Sequence, residues 1–305
     1  AEIILMLKIS FDKKYIYPLE ENHRFPMIKY ELIPEQLIRE NTCSKENFFS
    51  PQPISDNNVL LTHEKQYYFN LINQNLTAKE LRPIGFPMSK ELVERERIIS
   101  QGTIEGSLYS LEHGVSMNIA GGTHHAFYDR GEAFCMLNDQ AIAANYLIKN
   151  EICKKILIVD LDVHQGNGTA SIFKNDKNVF TISFHGKNNY PFKKEVSDLD
   201  IEFDNGTTDK FYLETLENKL PEIIDKFEPE FIYYLSGVDI MQNDKLGKLA
   251  LTLDGCKERD RIVLNLCKLN SIPVQISMGG GYSHELKNII EAHSNTFRVA
   301  QEIFF

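Results

Sequence analysis

Six short stretches of the chain are rich in apolar residues, most of them nearly throughout: Ile3–Ile9, Val115–Ala120, Ile156–Asp162, Val179–His185, Phe231–Gly237 and Pro273–Met278. A strand with one wet face alternates apolar and polar residues, whereas a strand covered on both faces does not. These runs therefore read as buried strands. Between them, Glu91–Glu112, Asn138–Asn150, Thr208–Phe227, Asp254–Leu269 and His284–Gln301 carry apolar residues every three or four positions, the spacing of one helix face. Strands alternating with helices over this length predict an α/β fold: a single domain over residues 1–305 with a central, mostly parallel sheet flanked by helices. No repeat, low-complexity tract or Pro/Gly/Ser linker divides the chain. The polar segment Asn41–Asn58, with two prolines, reads as a loop.

Composition narrows the function. With 42% hydrophobic and 25% charged residues in 305, the chain is an ordinary soluble globular sequence that buries a large core without disulfides. A net charge of -10 and the lack of any Lys/Arg-rich run exclude a nucleic-acid surface. An acidic protein attracts cationic partners instead, such as lysine-rich tails or polyamines. Cys43, Cys135, Cys153, Cys256 and Cys267 are odd in number and form no C-x-x-C pair, which predicts reduced thiols. Ile3–Leu7 is too short for a signal peptide, and no run reaches the roughly 18 apolar residues of a membrane span. The expected location is intracellular and cytoplasmic, with the nucleus or delivery into a host cell left open. The sequence does not specify an oligomeric state.

The chemistry falls just after the apolar runs, where parallel sheets bind ligands. In "ILIVDLDVHQGNG", residues 156–168, strand alternation would put Asp160, Asp162 and His164 on one face. Asp162 and His164 then suit one zinc, iron or manganese ion, and Asp160 would orient a neighbouring histidine. The segment "GGTHHAF", residues 121–127, offers His124 and His125 for proton transfer on a glycine-led loop. In "YYLSGVDIMQNDKLG", Asp239 is a candidate third ligand and Asp244 a loop-fixing group. In "ISMGGGYSHE", Tyr282 follows three glycines and is placed to donate to an oxyanion. No G-K-[ST] or G-x-G-x-x-G pattern supports a nucleotide site.

In this order the four segments resemble the histone deacetylase family of the arginase/deacetylase fold. The resemblance spans residues 15–300, nearly the whole chain. The stretches "HHAFYDRGEAFCMLND", "DLDVHQGNGT" and "GVDIMQNDKLGKLALT" look closest to class IV histone deacetylases and their bacterial relatives, and "YIYPLEENHRFPMIKY" looks like the opening of that branch. The resemblance implies a zinc-dependent hydrolase, with Fe2+ as the alternative ion, that cleaves Nε-acyl-lysine amides. Asp162, His164 and Asp239 would hold the metal. His125 would be the general base, and His124, oriented by Asp160, its electrostatic partner. Tyr282 would polarise the carbonyl.

Asn167 stands where many relatives have an aspartate, which predicts a lower pKa for the base. Phe134, Tyr190, Ala133 and Gly280 would line the acyl-lysine tunnel, with Ala133 where many relatives have glycine and Tyr190 where phenylalanine is common. Gly85–Phe86–Pro87 would form a rim loop. A structural K+ would lie at Asp160, Asp162, His164, Ser183 and Phe184. The expected partners are acyl-lysine proteins or peptides, histone tails among them. Members of the class IV branch favour fatty-acyl lysine, which raises the expectation of long acyl chains. Three alternatives remain at this point. A binuclear manganese hydrolase would need an aspartate at Gly166. A deacetylase of small acylated amines such as acetylpolyamines would use the same chemistry. A silent acyl-lysine binding module would have lost a ligand or the tyrosine, and every such position is filled.

Overall fold

A computed structural model describes residues 4–305 of the chain. Its frame is one sheet of eight strands: β1 (Lys8–Ser10), β2 (Phe48–Phe49), β3 (Val115–Asn118), β4 (Ile156–Asp160), β5 (Val179–Gly186), β6 (Leu199–Phe203), β7 (Phe231–Leu235) and β8 (Val274–Ser277). The spatial order is β2-β1-β3-β8-β7-β4-β5-β6, and every neighbouring pair is parallel. Parallel neighbours need long crossovers, which helices supply.

Consecutive residues of β7 show that both faces are covered. Tyr233 shares a 2.8 Å hydrogen bond with Ser107 Oγ of the helix Lys90–His113. Tyr234, pointing the other way, donates to Asp260 of the helix Leu253–Leu269. Accordingly β3, β4, β7 and β8 are buried at every position. β4 and β7 are apolar nearly throughout, whereas β3 and β8 alternate apolar residues with Ser116, Asn118, Gln275 and Ser277, which are buried and hydrogen-bonded within the protein. The single-domain α/β fold expected from the sequence is the fold observed.

Four of the predicted strands end early, at Asn118, Asp160, Leu235 and Ser277. The physical reason is local. After Asp160, for example, its own Oδ1 accepts the Asp162 amide at 3.1 Å and turns the chain off the sheet. The site residues that follow therefore sit on loops. The first strand begins only at Lys8; Ile4 and Leu5 are exposed, and Ile3 lies outside the described residues. The predicted loop 41–58 contains β2, which pairs with β1, and the helical turn Asp56–Val59; both are too short to leave a periodic signal. Edge strand β6 and the helix Lys29–Arg39 were not among the predicted elements either.

The helix Lys90–His113 comes unusually close to the sheet at Gly102. A Cβ there would collide with Ser10 Oγ and stand 2.7 Å from Tyr15 Oη. Gly102→Ala is therefore expected to destabilise the fold by about 1–3 kcal/mol through overpacking, measured by urea unfolding. An unchanged midpoint would show that the contact relaxes freely.

Candidate metal-dependent active site

The carboxyl ends of β3, β8, β7 and β4 lie side by side, and their loops meet around a cavity of about 510 Å³. His124, His125, Asp162, His164, Gly280 and Tyr282 line it. Asp162, His164 and Asp239 are buried and bring one donor atom each within 4.8 Å of one another. Strand alternation is not what aligns them, since β4 stops at Asp160; the following turn does.

The outer carboxylate oxygens are fixed by backbone amides. Gly280 N donates to Asp162 Oδ2 at 2.8 Å, and Val163 N to Asp239 Oδ1 at 2.9 Å. The inner atoms are left facing one another. His164 Nδ1 lies 3.0 Å from Asp162 Oδ1 and 3.2 Å from Asp239 Oδ2. Asp239 Oδ2, although buried, accepts no hydrogen bond among the described residues. One ring nitrogen cannot serve two carboxylates, and this donor set fits a single divalent cation. Burial, followed by the Asp162 charge, pushes Asp239 up to about 7. His164 goes up to about 10: burial opposes its charge, but Asp162 and Asp239 outweigh it. Both shifts reflect negative charge that a cation would neutralise.

The paired histidines share a stacked corner, with ring centroids 4.1 Å apart, but have different partners. His124 Nδ1 contacts Asp160 Oδ2 at 2.6 Å, whereas His125 Nδ1 contacts Asn167 Oδ1 at 2.6 Å. The Gly168 amide donates to the same Asn167 oxygen at 3.0 Å, so that atom is an acceptor and His125 Nδ1 carries the proton. Burial works against charge on both rings. For His124, Asp160 and Asp162 overcome it and raise the pKa. His125 is held well below the usual histidine value by burial, then by the charges of His124 and His164; the Asn167 bond pushes the other way. The low pKa anticipated from Asn167 thus has a different main cause.

Tyr282 is positioned by Asp244, whose Oδ2 accepts the Tyr282 amide at 2.6 Å while Oδ1 accepts Leu246 N and Gly247 N, each at 2.8 Å. Among the described residues the Tyr282 hydroxyl has no hydrogen-bond partner, and burial raises its pKa well above the ordinary phenol value. The tunnel positions also converge. Ala133, Phe134 and Tyr190 line the cavity. Ala133 adopts φ +43°, a left-handed conformation that glycine takes without strain. Phe134 packs on Phe86 of the rim loop at 5.1 Å, and Tyr190 meets His125 edge-on at 5.0 Å. Of the predicted potassium residues, Asp162 and His164 belong to the cluster itself, and Asp160 and Ser183 are register partners on β4 and β5.

Residues 20–297 match the histone deacetylase domain. The chain belongs to the histone deacetylase family. As a member it is an amide hydrolase of the histone deacetylase type. This deacetylase is similar to an uncharacterized protein of Picosynechococcus sp., at 39% identity over 97% of this chain and 99% of the relative. Histone deacetylase 2 of Arabidopsis thaliana is 27% identical over 95% of this chain and 77% of its own length. The Acetoin utilization protein AcuC of Staphylococcus aureus is also 27% identical, over 94% and 79%. The solved HDA15 HD domain shares the fold, with a TM-score of 0.82 at 21% identity, covering 96% of this chain and 90% of that one. Among the described residues, no helix of the deacetylase is long and apolar enough to cross a membrane.

Three positioning residues escaped the sequence reading. Arg259 is fully buried and donates to Leu161 O at 3.2 Å and Gly237 O at 2.5 Å, clamping the chain just before Asp162 and Asp239. A readable signal existed: Arg259 and Asp260 fall on the same helix stripe as Cys256, Val263, Leu264 and Cys267. Asp139 Oδ1 accepts the amides of Gly122 and Thr123 at 2.9 and 3.1 Å, fixing the approach to His124. Lys29, buried with its pKa pushed down to about 8 by desolvation, donates to Gly279 O at 3.1 Å. Neither of the last two had a local signal.

Gly280 supports the ligands as well as lining the tunnel. A Cβ there would collide with Asp239 Oδ2 and stand 2.9 Å from Asp162 Oδ2. Gly280→Ala is expected to weaken metal affinity at least about tenfold by displacing the two carboxylates, in a protein that still folds at an overpacking cost of about 1–3 kcal/mol. Isothermal titration with zinc checks this; unaltered affinity would free Gly280 from that role.

Proposed function

We propose that this deacetylase hydrolyses Nε-acyl-lysine amides in protein substrates, releasing lysine and a carboxylate, with Asp162, His164 and Asp239 holding the metal. The observation that carries the reading is the buried Asp239 Oδ2, without a hydrogen-bond partner among the described residues, facing Asp162 and His164, which line an aromatic-walled cavity. Two carboxylates and one imidazole suit zinc, and ferrous iron also. When bound, the ion supplies a Lewis acid that polarises the acyl carbonyl and acidifies water.

The chain's own groups do the rest. His125 is uncharged at neutral pH and, with its proton on Nδ1, leaves Nε2 free to accept the proton of the attacking water. His124, biased toward charge by Asp160, balances the developing negative charge and is a proton source for the leaving amine. The Tyr282 hydroxyl stays protonated and donates to the oxyanion. Phe134 and Tyr190 grip the lysine stem and exclude water. A potassium ion near Asp160, Asp162, His164, Ser183 and Phe184 belongs to the same proposal, by family resemblance.

The class IV assignment, with its long acyl chains, rests on the motifs in residues 15–30 and 124–168. The cavity lining also includes the buried residues Tyr30, Arg95, Glu96 and Ile99, which offers space for a longer acyl chain. Similarity to AcuC supports a second reading, a small acylated substrate, with the same chemistry.

The test is a panel of acetyl-, crotonyl- and myristoyl-lysine peptides beside a free acylated diamine, with and without chelator. Peptide hydrolysis that chelator abolishes and zinc restores is expected, and Tyr282→Phe should lower kcat by about 10²–10³ with zinc retained. Activity that survives chelation, or near-normal turnover in the variant, contradicts the assignment.

A pH profile examines the base separately. A carboxylate at position 167 favours imidazolium, so Asn167→Asp should raise the His125 pKa and move the acidic limb of kcat/KM about one unit higher. A limb that stays put argues that His125 is not the group titrating.

A further inference from the structure

Charge of one sign surrounds the mouth of the cavity. Arg24 precedes the helix Lys29–Arg39, Arg82 follows the helical turn Ala78–Leu81, and Lys248 lies in the loop beyond β7; all three line the cavity and are exposed. None forms an ion pair among the described residues. The contacts that two of them make are to neutral groups: the Arg24 guanidinium stands 6.0 Å from the Phe134 ring, and Lys248 Nζ donates to Asn188 O at 3.0 Å.

The carboxylates of the lining do not offset them. Glu96 and Asp162 are each 1% exposed, far from the opening. Glu132, behind Tyr190, is already engaged by Arg130 Nε at 2.9 Å and by the Tyr190 hydroxyl at 2.5 Å. The chain holds 43 acidic residues against 33 basic ones, so unpaired cations from three separate segments around one opening run against its overall charge. At physiological ionic strength the screening length is about 8 Å, so remote carboxylates are largely masked while groups touching a substrate are not.

We infer that this mouth selects acyl-lysines flanked by acidic residues. The inference rests on the deacylase reading above and names its substrate class. With the modified lysine in the tunnel, the substrate backbone lies across the rim, and neighbouring Asp or Glu side chains meet Arg24, Arg82 and Lys248. Arginine suits this role, because its guanidinium pairs with a carboxylate through two hydrogen bonds. The same cations disfavour lysine-rich tails and acylated polyamines. Each exposed pair changes affinity by roughly 1.5- to 5-fold, so three together give on the order of tenfold.

The test uses three fluorescent peptides of equal length with one central acyl-lysine, flanked by Glu, Lys or Ser. Binding to the zinc-loaded full chain is read by anisotropy, and hydrolysis by mass spectrometry, at about 0.05 and 0.5 M NaCl. The Glu peptide is expected to bind about ten times tighter than the Lys peptide at low salt, with the gap narrowing at high salt. Combining Arg24→Gln, Arg82→Gln and Lys248→Gln should bring the two within about twofold. Equal binding of the two peptides by the unaltered protein, or tighter binding of the Lys peptide, overturns the inference. Charge-selective binding with no hydrolysis of any peptide keeps it and overturns the deacylase reading; hydrolysis without selectivity does the reverse.

Discussion

Asp162, His164 and Asp239 are pressed together in a buried pocket where two carboxylates repel each other and one ring nitrogen lies between them. Burying a single charge costs several kcal/mol unless it is paired, and burying two of like sign costs more. The arrangement persists because rigid groups hold each carboxylate from behind. Backbone amides of Gly280 and Val163 take the outer oxygens, and glycines at 237 and 280 leave the space that a Cβ would fill. Among the described residues nothing satisfies the inner oxygen of Asp239. The unfavourable electrostatics are thus concentrated at one point, where a cation would relieve them.

The surrounding groups make sense from that constraint. Arg259 ties Leu161 and Gly237 together, so the two aspartate-bearing loops cannot drift apart. Lys29 and Asp139 do the same for the glycine turns on either side. The adjacent histidines show how partners divide labour between identical residues. One faces a carboxylate and is biased toward charge; the other faces an amide and is biased against it.

The sequence displays β4, β7 and the long helices well, because burial on both faces leaves nearly unbroken apolar runs in the strands and apolar spacing marks the helices, and neither needs context to read. It also displays the residues of the cavity, which fall directly after those runs. What it hides depends on tertiary pairing. Phe48–Phe49 becomes a strand only by docking on β1, and Lys29 has meaning only beside Gly279, 250 positions away. Arg259 is intermediate, since charge on an apolar helix stripe is visible but its targets are not. The strand ends were misjudged where side-chain turns such as Asp160's outcompete apolar continuity.

The position of β8 has a bearing on how the molecule is made. It is the last strand in the chain and is seated between β3 and β7, near the middle of the sheet. Until residues 274–277 leave the ribosome, β3 and β7 each present a bare edge, the feature most prone to pairing with the wrong chain. Closing that gap also delivers Gly280 and Tyr282, so the nascent protein cannot acquire a finished catalytic centre before its final strand is inserted.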